Sequence, residues 1–149
     1  MRFWDSSALV PLVLEEPLSP DCRRLLRSDR RVCAWALSRT EMISAIRRKQ
    51  RSAEIAAESA RLALDRGRRL AGRWTEIAAL DLVRARAEHL LAVHPLRAAD
   101  ALQLAAALLL ADGDPASVPF VVLDERLARA AAAEGLPVLV PGEAAESPE

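Results

Sequence analysis

Short apolar runs alternate with longer stretches of helical spacing along this whole chain, and few architectures accept that order. The runs fall at residues 2–4, 32–35, 74–80, 120–123 and 138–140. Helical patterns fill the intervals at 8–14, 20–28, 38–51, 53–67, 82–91, 95–111 and 125–134. A strand too short to fold back on its neighbour, followed each time by a helix, implies a parallel sheet covered by helices. The fold class read from this order is α/β, with about five strands. The punctuation agrees with it. Ser6 or Ser7 can cap the helix after the first run, Pro20 sits in the first turn of the second helix, and Gly67 is placed to stop the fourth. The Asp112-Gly113-Asp114-Pro115 stretch breaks the long helix before the fourth run.

The composition supports a single packed domain. Of 149 residues, 52% are hydrophobic, mostly Ala, Leu and Val, with two Phe, three Trp and no Tyr. Such a mixture suits helices packed closely on a sheet better than an all-β fold. No linker or repeat divides the chain, so we expect one domain over residues 1–141 and a flexible tail over 142–149. Cys22 and Cys33 stand in no metal-ligand spacing, which suggests idle thiols in a reducing compartment. Asp100 and Gln103 interrupt the most apolar stretch, and no basic segment followed by an apolar run opens the chain. A cytoplasmic protein with no membrane partner is expected.

Charge narrows the function. The 21 basic and 21 acidic residues cancel, unlike the strong basic excess of a general nucleic-acid binder. An enzyme that handles nucleic acid locally is still compatible. Basic residues cluster at 47–51 and 61–73, where a solvated helix face is the default and a phosphate or acidic-peptide contact the sharper alternative.

Four acids stand where chemistry is expected. Open parallel sheets bind ligands beyond the carboxyl ends of their strands. Asp5 and Asp124 each follow an apolar run directly, Glu41 lies in the first turn after the second run, and Asp100 interrupts the apolar face of the long helix. Each acid alone has a structural explanation. Asp5 and Asp124 suit helix N-caps, Ser38-Arg39-Thr40-Glu41 spells a capping box, and Asp100 can pair with Arg97. Helix caps explain them singly but not their joint position at one edge. Four gathered carboxylates repel one another, and a cation relieves the repulsion. With no His or Cys cluster nearby, oxygen ligands favour Mg²⁺ or Mn²⁺ over zinc. His94 reads as a core or loop histidine, and Asp81 as a helix cap.

The order of these segments resembles a known family. Phe3-Trp4-Asp5-Ser6-Ser7-Ala8-Leu9-Val10 is similar to the opening of PIN domains. The segment from Ser38 to Arg48 around Glu41, that from His94 to Ala107 around Asp100, and that from Val121 to Val138 around Asp124 resemble the second, third and fourth PIN motifs, in order. In length and motif content the chain is similar to the VapC-type toxins of prokaryotic toxin–antitoxin modules. The resemblance implies a PIN-like parallel sheet with helices on both faces and Mg²⁺- or Mn²⁺-dependent endoribonuclease activity. It also implies homodimers and inhibition by a small VapB-type antitoxin. Carried over, Asp5 and Asp100 are the central metal ligands, Glu41 helps bind metal or its water, and Asp124 completes the site. One position departs from the pattern: Val122 stands where the family often has Thr or Ser, and a hydroxyl that could orient water is missing. Ser6 and Ser7 are the nearest substitutes in the sequence, though both also suit helix caps.

Two other classes compete with this reading. A non-catalytic PIN-like RNA-binding or regulatory protein would tolerate Val122 but has no need of an intact acid quartet. Phosphoaspartyl chemistry fits less well. A phosphatase of the haloacid-dehalogenase type wants an acid where Ser7 stands, and a receiver domain wants a lysine after its last strand, whereas Lys49 is the only lysine.

Overall fold

A computed structural model describes residues 1–143 of the chain, and residues 144–149 of the expected tail lie outside the described residues. Five strands form one sheet: β1 (Arg2–Trp4), β2 (Val32–Trp35), β3 (Thr75–Ile77), β4 (Phe120–Val121) and β5 (Val138–Leu139). Their order is β3-β2-β1-β4-β5, and every pairing is parallel. Seven α-helices connect them within the described residues: α1 (Ser6–Val13), α2 (Ser19–Ser28), α3 (Ser38–Arg51), α4 (Ala57–Ala71), α5 (Leu80–Val93), α6 (Ala98–Ala111) and α7 (Glu125–Ala133). The α/β expectation holds, with helices on both faces.

Two-residue periodicity sorts the core. Phe3, Cys33, Trp35, Phe120 and Val122 point to one face and meet α5, α6 and α7. Trp4, Ala34 and Val121 point to the other and meet α1 to α4. The chain steps outward from β1 through β2 to β3, then returns to the far side of β1 for β4 and β5. Right-handed crossovers in opposite directions place their helices on opposite faces, which accounts for the division. Phe3 and Phe120 stack with centroids 5.6 Å apart and planes 9° apart, fastening β1 to β4 across the point where the direction reverses. Cys22 and Cys33 are buried free thiols, and burial pushes each up to about 11.

Several local expectations are corrected. The first helix begins at Ser6 rather than Ala8, because its cap is Asp5: the carboxylate accepts from the Ser7 amide at 3.0 Å. Neither Ser6 nor Ser7 caps it. Gly67 does not end a helix but lies within α4, and Gly72 stands at the end. A β-carbon at Gly67 would stand 2.9 Å from Met42 Cε, so the missing side chain lets α4 approach α3. The third strand is shorter than expected, Thr75–Ile77 at the sheet's edge, because only β2 pairs with it. Asp81 caps nothing: Ala79 holds the N-cap position of α5, and Asp81 forms an exposed ion pair with Arg84 at 2.8 Å. No helix among the described residues is long and apolar enough to cross a membrane.

Candidate active site

The reversal of strand order leaves a crevice beyond the carboxyl ends of β1 and β4, where open sheets of this kind bind ligands. The cleft there has a volume of about 460 Å³, and its lining includes Asp5, Ser6, Ser7, Glu41, Arg48, Asp100 and Asp124. All four acids singled out by the sequence therefore meet in one place. Each comes from a different part of the fold: the end of β1, the first turn of α3, the first turn of α6 and the N-cap of α7.

Asp5 is the most enclosed, with 3% of its surface exposed. Its amide donates to Val121 O at 2.9 Å, so the residue is tied to β4 as well as to its own helix. Desolvation pushes its carboxyl up to about 6, opposed by the two hydrogen bonds of Ser7 and aided by the charges of Glu41 and Asp100. Ser7 is occupied elsewhere too, its hydroxyl accepting from the Leu123 amide at 2.9 Å. The turn after β1 is thus fastened to the turn after β4.

Glu41 overturns the capping-box expectation. The N-cap of α3 is Leu37, with no side-chain cap, and Ser38 is fully buried. Glu41 turns instead into the cleft, where Ser6 Oγ donates to its Oε2 at 3.0 Å and Gln103 Nε2 donates to its Oε1 at 3.0 Å. Forgoing a Ser cap costs about 1 kcal/mol, so the wider hydrogen-bond network outweighs the local one. Burial raises the pKa of Glu41 above its ordinary value, against the lowering by Ser6 and Gln103, with the charge of Asp100 adding to the rise.

Asp100 is half-buried and its pKa is raised, first by desolvation and next by the charge of Asp124. The expected ion pair of Asp100 with Arg97 does not form; Arg97 acts only by lowering that pKa through its amide and its charge, together with Arg126. Asp124 is exposed and caps α7, Oδ1 accepting from the Leu127 amide at 2.8 Å. The capping reading is therefore correct for Asp5 and Asp124, and it coexists with the cluster because each cap occupies one carboxylate oxygen.

The donor set suits a hard divalent ion: carboxylates from four directions, mutual repulsion, and a desolvated Asp5 at the base. Among the described residues, no three such side chains are already drawn tightly enough to enclose an ion by themselves. Mg²⁺ does not demand that, since it commonly keeps several waters and takes only one or two carboxylates plus substrate oxygens. Val122 is fully buried against the α5–α7 layer, so the residue at that position faces the core.

The sequence reading missed Gln103 as a site residue, although its spacing of three from Asp100 on one helix was a signal. It also passed over most of the rim. A second hollow of about 640 Å³ shares Glu41, Arg48, Asp100 and Asp124 with the cleft and adds Arg97, Arg126 and Arg129. Of the two basic stretches, the first places Arg48 on this rim. The second is mostly spent on the surface of α4, where Arg61 pairs with Glu58 and Asp65. Its last member, Arg73, joins Arg23, Arg27 and Arg30 at a groove of about 360 Å³ beside the amino ends of β2 and β3, away from the acids. His94 ends α5 and meets Glu134 at 2.7 Å between Nε2 and Oε1, outside the cleft.

Comparison with known proteins agrees with this fold. The family model for the PIN domain matches residues 2–133. No curated protein matches the sequence. The fold is similar to that of a toxin–antitoxin complex from Klebsiella pneumoniae, with TM-score 0.67, 16% identity, and coverage of 97% of this chain and 100% of that one. It is also similar to FitAcB from Neisseria gonorrhoeae, with TM-score 0.66, 17% identity, and coverage of 95% and 98%. A structure of FitAB bound to an IR36 DNA fragment gives TM-score 0.63 at 16% identity, over 98% of this chain and 99% of that one.

Proposed function

Because this chain belongs to the PIN-domain family, we propose that it is a Mg²⁺- or Mn²⁺-dependent endoribonuclease, the toxin of a toxin–antitoxin pair. The observation that carries the reading is the meeting of Asp5, Glu41, Asp100 and Asp124, from four separate elements, in one cleft at the carboxyl edge of the sheet. A divalent ion bound there would supply a polarised water and neutralise charge gathering on a phosphodiester. Asp5 and Asp100 are its central holders, Glu41 orients the ion or its water, and Asp124 closes the site from α7. Arg48, Arg97, Arg126 and Arg129 border the acids and suit the flanking phosphates of an RNA strand, which Arg grips through its planar fork. An acidic centre within a basic rim also explains how a chain of zero net charge can act on a polyanion.

The first test is direct. Purified protein should cleave RNA with Mn²⁺ or Mg²⁺ and not with EDTA, and Mn²⁺ should raise its melting temperature, because only the native state gathers the ligands. Identical melting curves in Mn²⁺ and EDTA, with no cleavage in either, would sink the reading.

Partners follow from the same proposal. The neighbour described as a toxin–antitoxin complex supports a small antitoxin of the VapB type as the inhibitor. A homodimer is the second assembly, and Leu82 and Val93, on one side of α5 and 61% and 71% exposed, offer an apolar contact for it. Light scattering should give twice the monomer mass, and Leu82→Glu should return the protein to monomer. A monomer at every concentration would remove the dimer and leave the enzyme reading in place.

A further inference from the structure

Behind the cleft wall lies a buried amide with its two ends distinguished. Gln103 is 1% exposed, on a helix that is otherwise Ala and Leu from Ala101 to Ala111. One amide hydrogen goes to Ser38 Oγ at 2.9 Å and the other to Glu41 Oε1 at 3.0 Å. The Ser38 hydroxyl lies 3.3 Å from Gln103 Oε1 and donates to it. Reversing the amide would set its oxygen against the Glu41 carboxylate, so the observed orientation is the one in which Glu41 meets a donor.

We infer that Gln103, oriented by Ser38, is a positioning residue: with Ser6 it fixes the Glu41 carboxylate at the wall of the cleft, so that a cation meets a ligand already set. The inference rests on the reading of the cleft as a metal site. Two observations favour positioning over plain packing. Ser38 occupies the first turn of α3, where a Ser next to the cap position is well placed to satisfy free amides, yet its side chain is turned to Gln103. A buried amide on an Ala and Leu face is also harder to satisfy than the Leu or Met that would fill the same space without needing partners. Both choices disfavour the scaffold and favour the carboxylate. Outer-shell groups of this kind hold first ligands in place, and their loss weakens metal binding by roughly 10–100-fold.

The test uses the whole chain, titrated with Mn²⁺ in a calorimeter and melted separately in EDTA. Ser38→Ala/Gln103→Leu removes both ends of the internal hydrogen bond together, leaving neither orphaned. The expected result is Mn²⁺ affinity lower by roughly 10–100-fold, with an EDTA melting midpoint no lower than the parent's. Gln103→Asn keeps the amide but withdraws it by one methylene, and should lose Mn²⁺ affinity in the same range; it decides the matter if the double variant does not fold. Affinity within about twofold of the parent in the folded variants, which is inside ordinary measurement spread, would overturn the inference while leaving the metal site standing. A lower EDTA midpoint with unchanged affinity would show a packing role and overturn it too. A parent that binds no Mn²⁺ would overturn the metal reading, and this inference with it.

Discussion

Asp5→Asn and Asp100→Asn should each leave a folded protein whose RNA cleavage falls by roughly 10²-fold or more, since metal stabilisation of the transition state is worth several kcal/mol. Each substitution keeps the size of the side chain and removes the charge that holds the ion. Asn caps a helix about as well as Asp, so the cap at Asp5 survives the change. Glu41→Gln is the cleanest member of the series, because α3 has no side-chain cap for it to disturb. Its carbonyl can keep the bond from Gln103 and its amide can donate to the Ser6 hydroxyl, so the local network closes while a Mg²⁺ ligand is lost. Single-turnover cleavage of a radiolabelled RNA, with circular dichroism as the control for folding, measures the effect. Three folded variants cleaving at the parent's rate would rule out the nuclease assignment.

The same Asp5→Asn change should make the metal-free protein more stable at neutral pH. The folded-state pKa of Asp5 is raised from 3.8 to about 6, so the native state holds the proton more tightly than the unfolded chain does. Stability from this group is complete below the unfolded value near 3.8, and is lost as pH rises through 6. Two pKa units correspond to about 3 kcal/mol, present in EDTA at pH 4 and gone by pH 7. Glu41 and Asp100 are raised as well and add in the same direction. Asn has no charge to bury. Relative to its value at pH 4.5, the variant's melting temperature in EDTA at pH 7.5 should hold up better than the parent's by roughly 6–12 °C. Saturating Mn²⁺ should close the gap by stabilising the parent alone. A parent and variant with parallel pH profiles in EDTA would show that Asp5 is not strained by its surroundings.

The parts of this protein that could be read from the sequence are those decided locally. Val32–Trp35 was bounded correctly because a fully buried parallel strand is an unbroken apolar run. Asp5 and Asp124 were placed at the sheet edge because each ends such a run. Glu41 was harder: a capping-box spelling is a local signal, and what overrides it is Gln103, 62 residues away in sequence. Gly67 failed for a similar reason. Glycine ends helices by its backbone freedom, but here it is used for its missing side chain, and the need for that resides in Met42 on another helix. The pairing of Ser38 with Gln103, 65 residues apart, has no local signature at all.

Consider, finally, where the two central strands lie along the chain. Phe3 pairs with Phe120 and Trp4 with Val121, so the middle of the sheet joins segments 117 residues apart in the chain. A contact that closes so long a loop is intrinsically late and slow. Ribosomes extend a chain at ~5–20 residues per second, so β1 waits many seconds for β4 to leave the exit tunnel. Until then Asp5 has no strand on one side, Ser7 has no Leu123 amide to accept from, and Asp124 does not yet exist. Copies truncated before β4 therefore lack both the strand beside β1 and the fourth acid that lines the cleft.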